Sequence, residues 1–262
     1  MTTILGQFNL DIPFFLTYLF DPPGIVWRGL WVTIYVAVIA QILGVIVGLG
    51  VALARMSGSA VLRSWAGLYI WAWRGTPLLV QLLIVYTGVA AAGIYRYPDL
   101  PLGPFTLSGP MQAALFTLAL NEGAYMAEIF RAAIQSIDRG QLDAAKAIGM
   151  RKGTALWFII LPQAARVVLP PLGNEFTSMI KGTSLLSVIG VRELFGTMQN
   201  LNAATFRTFE LFFVAAIWYL ILTSLMSIVQ RRLEARLSRH ELPAERRFKE
   251  TFRSRKLVTT QR

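Results

Sequence analysis

Four stretches of this chain run for about twenty residues or more without a charged side chain: Gly29 to Ala54, Gly75 to Tyr95, Leu100 to Asn121 and Leu211 to Gln230. A helix rises about 1.5 Å per residue, so about 20 residues cross the roughly 30 Å hydrocarbon core of a bilayer. A fifth apolar stretch, Gly153 to Val191, is interrupted by Arg166, Glu175, Lys181 and the pair Pro170 and Pro171. In hydrocarbon every backbone N–H and C=O must be satisfied internally, which leaves helices as the solution for runs of this length. The expected fold is therefore all-α and polytopic, with about five transmembrane helices.

Charge sets the expected orientation. The segment after the first run carries Arg55 and Arg63, and the one after the third carries Arg131, Arg139, Lys146, Arg151 and Lys152. Basic loops stay on the cytoplasmic side, so both segments are expected there, with the N-terminus outside and the C-terminus inside. The net charge of +11 comes largely from the region after Gln230, where eleven Lys and Arg residues face four Glu. Such a juxtamembrane tail marks the cytoplasmic face and is drawn to anionic lipid headgroups; nucleic-acid binding is the minor alternative. The resulting organisation is an extracytoplasmic segment 1–24, a membrane domain 25–230 with a cytoplasmic loop 131–157, and a basic tail 231–262. Met1 to Pro23 contains Asp11 and Asp21 but no Lys or Arg, so no cleaved secretory signal is expected. Trp27, Trp31, Trp65, Trp71 and Trp73 fall near expected span ends, where indoles favour the headgroup layer. Gly44, Gly48 and Gly50 follow the small-residue spacing that lets membrane helices approach closely.

The cytoplasmic loop is the most informative segment. Gly140 and Gly149 bracket an expected helix from Gln141 to Ile148, with Asp143 in its first turn, complementing the positive helix end. Leu142, Ala145 and Ile148 recur at spacing three and share a face. Two turns are too short to be stable alone, so this stripe needs a partner surface. On physical grounds that surface is either a groove on a cytoplasmic protein or the lipid headgroup layer.

Asp143-Ala-Ala, Gly149 and Leu161-Pro162 resemble the EAA loop that bacterial ABC import permeases press into their ATPase subunits. Arg74-Gly-Thr-Pro-Leu-Leu-Val-Gln81, Ala124-Tyr-Met-Ala-Glu-Ile-Phe-Arg131, Leu161-Pro-Gln-Ala-Ala-Arg166, Pro170-Pro-Leu-Gly-Asn174 and Lys181-Gly-Thr-Ser-Leu185 are similar to segments of the polar amino-acid uptake permeases, which serve histidine, glutamine, arginine and related substrates. The similarity runs from about Trp27 to Gln230. It implies a type I ABC importer permease architecture in a bacterial cytoplasmic (inner) membrane, working as a homo- or heterodimer with a second permease subunit. It also implies an ATP-binding subunit and a soluble amino-acid-binding protein outside. Gln141, Leu142, Asp143, Ala144, Ala145, Ile148 and Gly149 are then the ATPase-coupling residues. No cofactor is expected in this chain, since ATP and magnesium belong to the partner ATPase. Two departures stand out: Asp143 replaces the usual glutamate and keeps its charge, whereas Gly182 replaces the aspartate that usually follows the lysine.

Polar residues at membrane depth are costly unless paired or facing water. Asn121, Glu122 and Tyr125 on the third span, with Arg74, Glu175 and Lys181, are the candidate substrate path. Arg74 precedes Gly75-Thr76-Pro77, which breaks a helix and restarts it, and a membrane boundary or freed carbonyls are its other reading. Glu175 and Lys181 either pair with other spans or line a polar cavity. Glu122 either faces the path, favouring cationic amino acids, or pairs with Lys181 or Arg74. Glu128 and Arg131, three apart, are expected to pair locally. Gln163 and Arg166 are expected to support the loop geometry, and His240 to be a solvated tail residue.

The chain has no Gly-Lys dipeptide and therefore no GxxxxGK[ST] phosphate loop. With no cysteine and one histidine, the usual nucleophilic triads are unavailable, and no clustered acid, base or metal set suggests a membrane transferase. An ion-coupled carrier would ordinarily show paired repeats, and none is evident. The expectation is a transport subunit driven from elsewhere.

Overall fold

The computed structural model describes residues 10–103 and 105–238. A short helix α1 (Ile12–Phe20) is followed by α2 (Gly24–Arg55), 32 residues long, and then by α3 (Ala60–Gly75). Next come α4 (Leu78–Leu83), a π turn (Ile84–Gly88) and α5 (Val89–Ala91). Strands β1 (Leu100–Leu102) and β2 (Phe105–Leu107) form an antiparallel hairpin with Leu100 opposite Leu107. Helix α6 (Gly109–Gln135) leads to the short α7 (Arg139–Ala147). From α8 (Lys152–Ala155) the chain continues through a second π turn (Leu156–Ile160) into α9 (Leu161–Gly182) and a 3-10 turn (Thr183–Ile189). Helices α10 (Leu194–Thr205) and α11 (Thr208–Ser238) complete the described fold.

Among the described residues, three helices are long and apolar enough to cross a membrane: Gly24–Arg55, Gly153–Ile189 and Thr208–Arg236. Together, Ala60–Gly75 and Leu78–Ala91 pass the same test as one broken element bent by 105°. The sequence leads to about five spans, four of them from charge-free runs, and two of those four runs are laid out differently. The second run begins inside α3 rather than at a helix start, and its bend falls at Thr76-Pro77 because proline has no N–H to continue the ladder. The third run also shifts. Residues 100–107 form the hairpin, and α6 starts at Gly109 with Pro110 in its first turn. The cluster Pro101, Gly103, Pro104 opposes a helix there, and Gly103 takes φ 64° in the turn. Helix α6 instead extends past Asn121 through Glu122, Glu128 and Arg131. Pro170 and Pro171 lie inside α9 without ending it.

The core is organised around α2 and α6. Gly44 of α2 packs directly on the Glu122 side chain, and Gly48 packs on Met126 and the Gly123 backbone, so any larger residue would collide. This is the close approach expected of the small-residue spacing. One apolar cluster joins Val36, Ala37 and Ala40 of α2 to Leu82, Leu118, Met179 and Leu186. A second joins Val26 and Leu30 to Leu194, Met198, Leu211 and Val214, and packs α1 against it through Phe14 and Phe15. The third joins Met126, Ala133 and Ile134 of α6 to Ile160, Ala164 and Val168, with Leu142 of α7 against it. Large apolar side chains on the outside, such as Trp31, Ile46, Trp71 and Leu220, suit a surface that faces lipid tails.

Candidate functional site

The break between α3 and α4 leaves backbone carbonyls without helical partners, and two side-chain amides take them. Buried Gln81 donates through Nε2 to the carbonyls of Trp73 at 2.7 Å and Thr76 at 3.1 Å, and to the Thr76 hydroxyl at 2.7 Å. Asn121 of α6 donates to Gln81 Oε1 at 2.8 Å and to the Trp73 carbonyl at 3.3 Å. The sharp bend is thereby fixed to α6 rather than left to swing. One reading of Arg74 had it capping these carbonyls. Its guanidinium instead lies over the Tyr125 ring, 5.2 Å from the centroid.

One turn of helix separates Asn121 from Tyr125, and Glu122 lies between them. The Glu122 carboxylate is 4% exposed and accepts from Gln41 Nε2 of α2 at 2.8 Å. Neither Lys181 nor Arg74 pairs with it, so the interhelical ion pairs weighed from the sequence are not formed. Asn121, Glu122 and Tyr125 line a cavity of about 380 Å³ together with Glu175 and Ser178 of α9, and Leu78, Leu118, Met179 and Gly182 complete its wall. Two carboxylates from two helices thus face one space. Lys181 points elsewhere, into a second cavity of about 290 Å³ with Phe195, Phe212 and Tyr219. Five of the six candidate path residues therefore gather around the first cavity, four in its wall and Arg74 stacked on Tyr125; Lys181 does not.

At the other end of α6, Arg131 Nη2 meets Glu128 Oε2 at 2.6 Å, the local pair expected from their spacing. Beyond it the loop helix α7 begins earlier than the bracketing glycines suggest. Asp138 is its N-cap, accepting from the Gly140 amide at 2.8 Å, so Gly140 lies inside the helix and Asp143 falls in the second turn. Asp143 is paired instead with Lys146 at 3.0 Å. Gly149 ends the helix as expected, at φ 80°, with its own N–H donating to the Lys146 carbonyl at 2.9 Å and that of Met150 to Ala145 at 3.0 Å. The apolar stripe is split. Leu142 packs against the cluster formed by α6, the π turn and α9, and Ala145 is buried, whereas Ile148 is 77% exposed. Gln141, Asp143, Ala144, Lys146, Ile148 and Gly149 form the outward surface. Gln163 stabilises the adjoining π turn by donating to the Ile159 carbonyl at 2.9 Å.

Residues 42–239 match the family described as binding-protein-dependent transport system inner membrane component. The chain belongs to that family. This inner membrane component is 41% identical over 207 residues to the arginine transport system permease protein ArgU of Corynebacterium glutamicum, covering 77% of this chain and 65% of that relative's length. It is 38% identical over 210 residues to the glutamine transport system permease protein GlnP of Escherichia coli, covering 80% of this chain and 91% of the relative. Its fold matches the crystal structure of an amino acid ABC transporter with histidines at a TM-score of 0.76 and 35% identity, over 87% of this chain and 99% of that one.

Three parts of the inner membrane component's architecture escaped the sequence reading. Gln41 and Gln81 are uncharged and sit in apolar runs, so nothing marked them as partners of Glu122 and of the helix break. Glu193 is the third, absent from the candidate residues drawn from the sequence. It is fully buried at the start of α10, where it accepts from the amides of Phe195 at 3.0 Å and Gly196 at 2.6 Å. It also accepts from the Thr33 hydroxyl at 3.2 Å and the Tyr219 hydroxyl at 2.5 Å. The basic tail beyond Ser238 and His240 lie outside the described residues.

Proposed function

We propose that this chain is the membrane-spanning subunit of an ATP-driven, binding-protein-dependent amino-acid importer, and that the Glu122 and Glu175 cavity lies on its path and favours cargo with a cationic group. One observation carries the preference: both carboxylates face a single cavity of about 380 Å³, and neither belongs to an ion pair among the described residues. A lone carboxylate at membrane depth costs a few kcal/mol, which a bound ammonium or guanidinium offsets through a charge-assisted hydrogen bond. Tyr125 and Ser178 add hydroxyls, and Asn121 is held in place by Gln81. The relatives are named for arginine and for glutamine, so kinship alone does not select between charged and neutral cargo.

The remaining parts of the system lie outside this chain. A second permease subunit, a copy or a relative, completes the path. A soluble binding protein delivers the amino acid, and an ATP-binding subunit, which uses ATP and magnesium, docks against Gln141, Asp143, Ala144, Ile148 and Gly149, with Leu142 and Ala145 supporting that surface from behind. The protein is multi-pass in the cytoplasmic membrane, N-terminus outside and C-terminus inside.

The test is uptake of arginine, lysine, histidine and glutamine by proteoliposomes holding the whole complex. Glu122→Gln keeps an acceptor for Gln41 but removes the charge. Uptake of arginine and lysine should fall about tenfold or more, the worth of a charge-assisted bond, with glutamine changing far less. Unchanged selectivity in a correctly inserted variant would remove the cationic preference. The importer reading is tested separately by the wild type, since uptake driven by an ion gradient without ATP would overturn it.

A further inference from the structure

At the turn between α2 and α3 the structure holds a basic cavity that the transport path does not use. It has a volume of about 600 Å³ and is lined by Arg55, Met56, Arg63, Glu128, Arg131 and Gln135. Three arginines stand against one glutamate, a net charge of +2 on its wall. Arg131 is committed, donating to Glu128 through Nε and Nη2 and to Gln135 through Nη1. Arg55 donates through Nη1 to the Arg63 carbonyl at 3.0 Å, and Arg63 through Nη1 to the carbonyls of Ser57 at 2.9 Å and Gly58 at 2.8 Å. These bonds pin both side chains by one nitrogen. Their Nε and Nη2 groups remain available, two planar donor edges on side chains that are exposed.

We infer that this cavity binds the phosphate of an anionic lipid headgroup. Depth supports a lipid source. Arg55 is the first charge after the uncharged run Gly29 to Ala54, so it stands where α2 leaves the hydrocarbon. The residues of α3 that flank Arg63 in sequence are exposed and apolar: Val61 is 64% exposed, Leu62 49% and Trp65 67%, side chains suited to acyl chains with an indole at the headgroup level. Guanidinium donors match phosphate oxygens in pairs, and a basic pocket between membrane helices is the arrangement that takes anionic headgroups.

The full chain, purified in neutral detergent and stripped of lipid, is titrated with dioleoyl phosphatidylglycerol, dioleoyl phosphatidylcholine or inorganic phosphate, with bound lipid counted by native mass spectrometry. The anionic lipid should be preferred over phosphatidylcholine by roughly 30-fold, the worth of two interfacial arginines. Arg55→Gln with Arg63→Gln should erase that preference, whereas Arg96→Gln in the distant loop should leave it. Should the double variant prove non-monodisperse, Arg55→Gln alone is expected to cut the preference about fivefold. Equal binding of the two lipids, or a preference surviving the arginine substitutions, overturns the assignment. So does loss of the preference in Arg96→Gln, which would make it a diffuse charge effect. Displacement of the lipid by millimolar phosphate would mark a site for free anions instead. Normal lipid preference with lost retention of a partner ATPase in the double variant would assign the arginines to a protein contact and likewise overturn the proposal.

Discussion

Glu193 is held by two backbone amides and two hydroxyls drawn from α2, α10 and α11, and its removal strands the donors of α10 and α11, while the Thr33 hydroxyl keeps the Gly29 carbonyl at 3.2 Å. Glu193→Ala loses an N-cap, worth about 1 kcal/mol, and leaves buried donors unsatisfied at about 1–3 kcal/mol more. We expect a lower thermal midpoint in detergent, and Glu193→Gln, which keeps acceptor geometry, should lose less. At Gly149 the constraint is backbone conformation. Its φ of 80° is strained for a β-branched residue, while a Cβ there would meet nothing within 4 Å. Gly149→Ile should therefore distort the end of α7 without crowding the bundle. In the reconstituted complex ATP-coupled uptake should fall severalfold with normal membrane insertion; normal uptake with normal ATPase stimulation would count against the coupling role.

At the scale of elements, the α2 and α6 contact depends on two glycines a turn apart. A side chain at Gly44 collides with Glu122, and one at Gly48 collides with Met126. Gly44→Leu should destabilise the protein by about 1–3 kcal/mol through overpacking and should also displace Glu122, read as a lower thermal midpoint together with reduced uptake. The small-residue spacing made this contact legible in advance. The hairpin and the α3 to α4 bend were less legible, because absence of charge measures compatibility with lipid and not continuity of a helix. Pro77, Pro101 and Gly103 carry the backbone information that such a measure ignores. The loop helix α7 shows the same limit from the other side. Gly140 looked like a boundary, but Asp138 supplies the cap, and glycine is tolerated in a first turn secured by a side-chain acceptor.

For the whole molecule, the proposed orientation rests on charge and is open to a direct test. The sequence contains no cysteine, so single cysteines report without background. Ile148→Cys, on the exposed side of α7, should react with a membrane-impermeant maleimide in inside-out vesicles and not in sealed right-side-out ones. The reverse pattern would invert the topology. The family was readable from ordered motifs, and much of the cavity from the cost of charge at membrane depth. The two glutamines and Lys181's separate location were not, since neither polarity nor spacing states which side chains will converge across helices. The inward turn of Leu142 and Ala145 has a mechanical consequence. These residues seat α7 on the π turn that runs straight into α9, and Glu175 lies about 21 Å further along that helix at 1.5 Å per residue. If the partner ATPase bears on Ala144 or Ile148 as proposed, its push would act at the foot of the same helix that carries a carboxylate of the cavity, with Pro170 and Pro171 lying between the handle and the load.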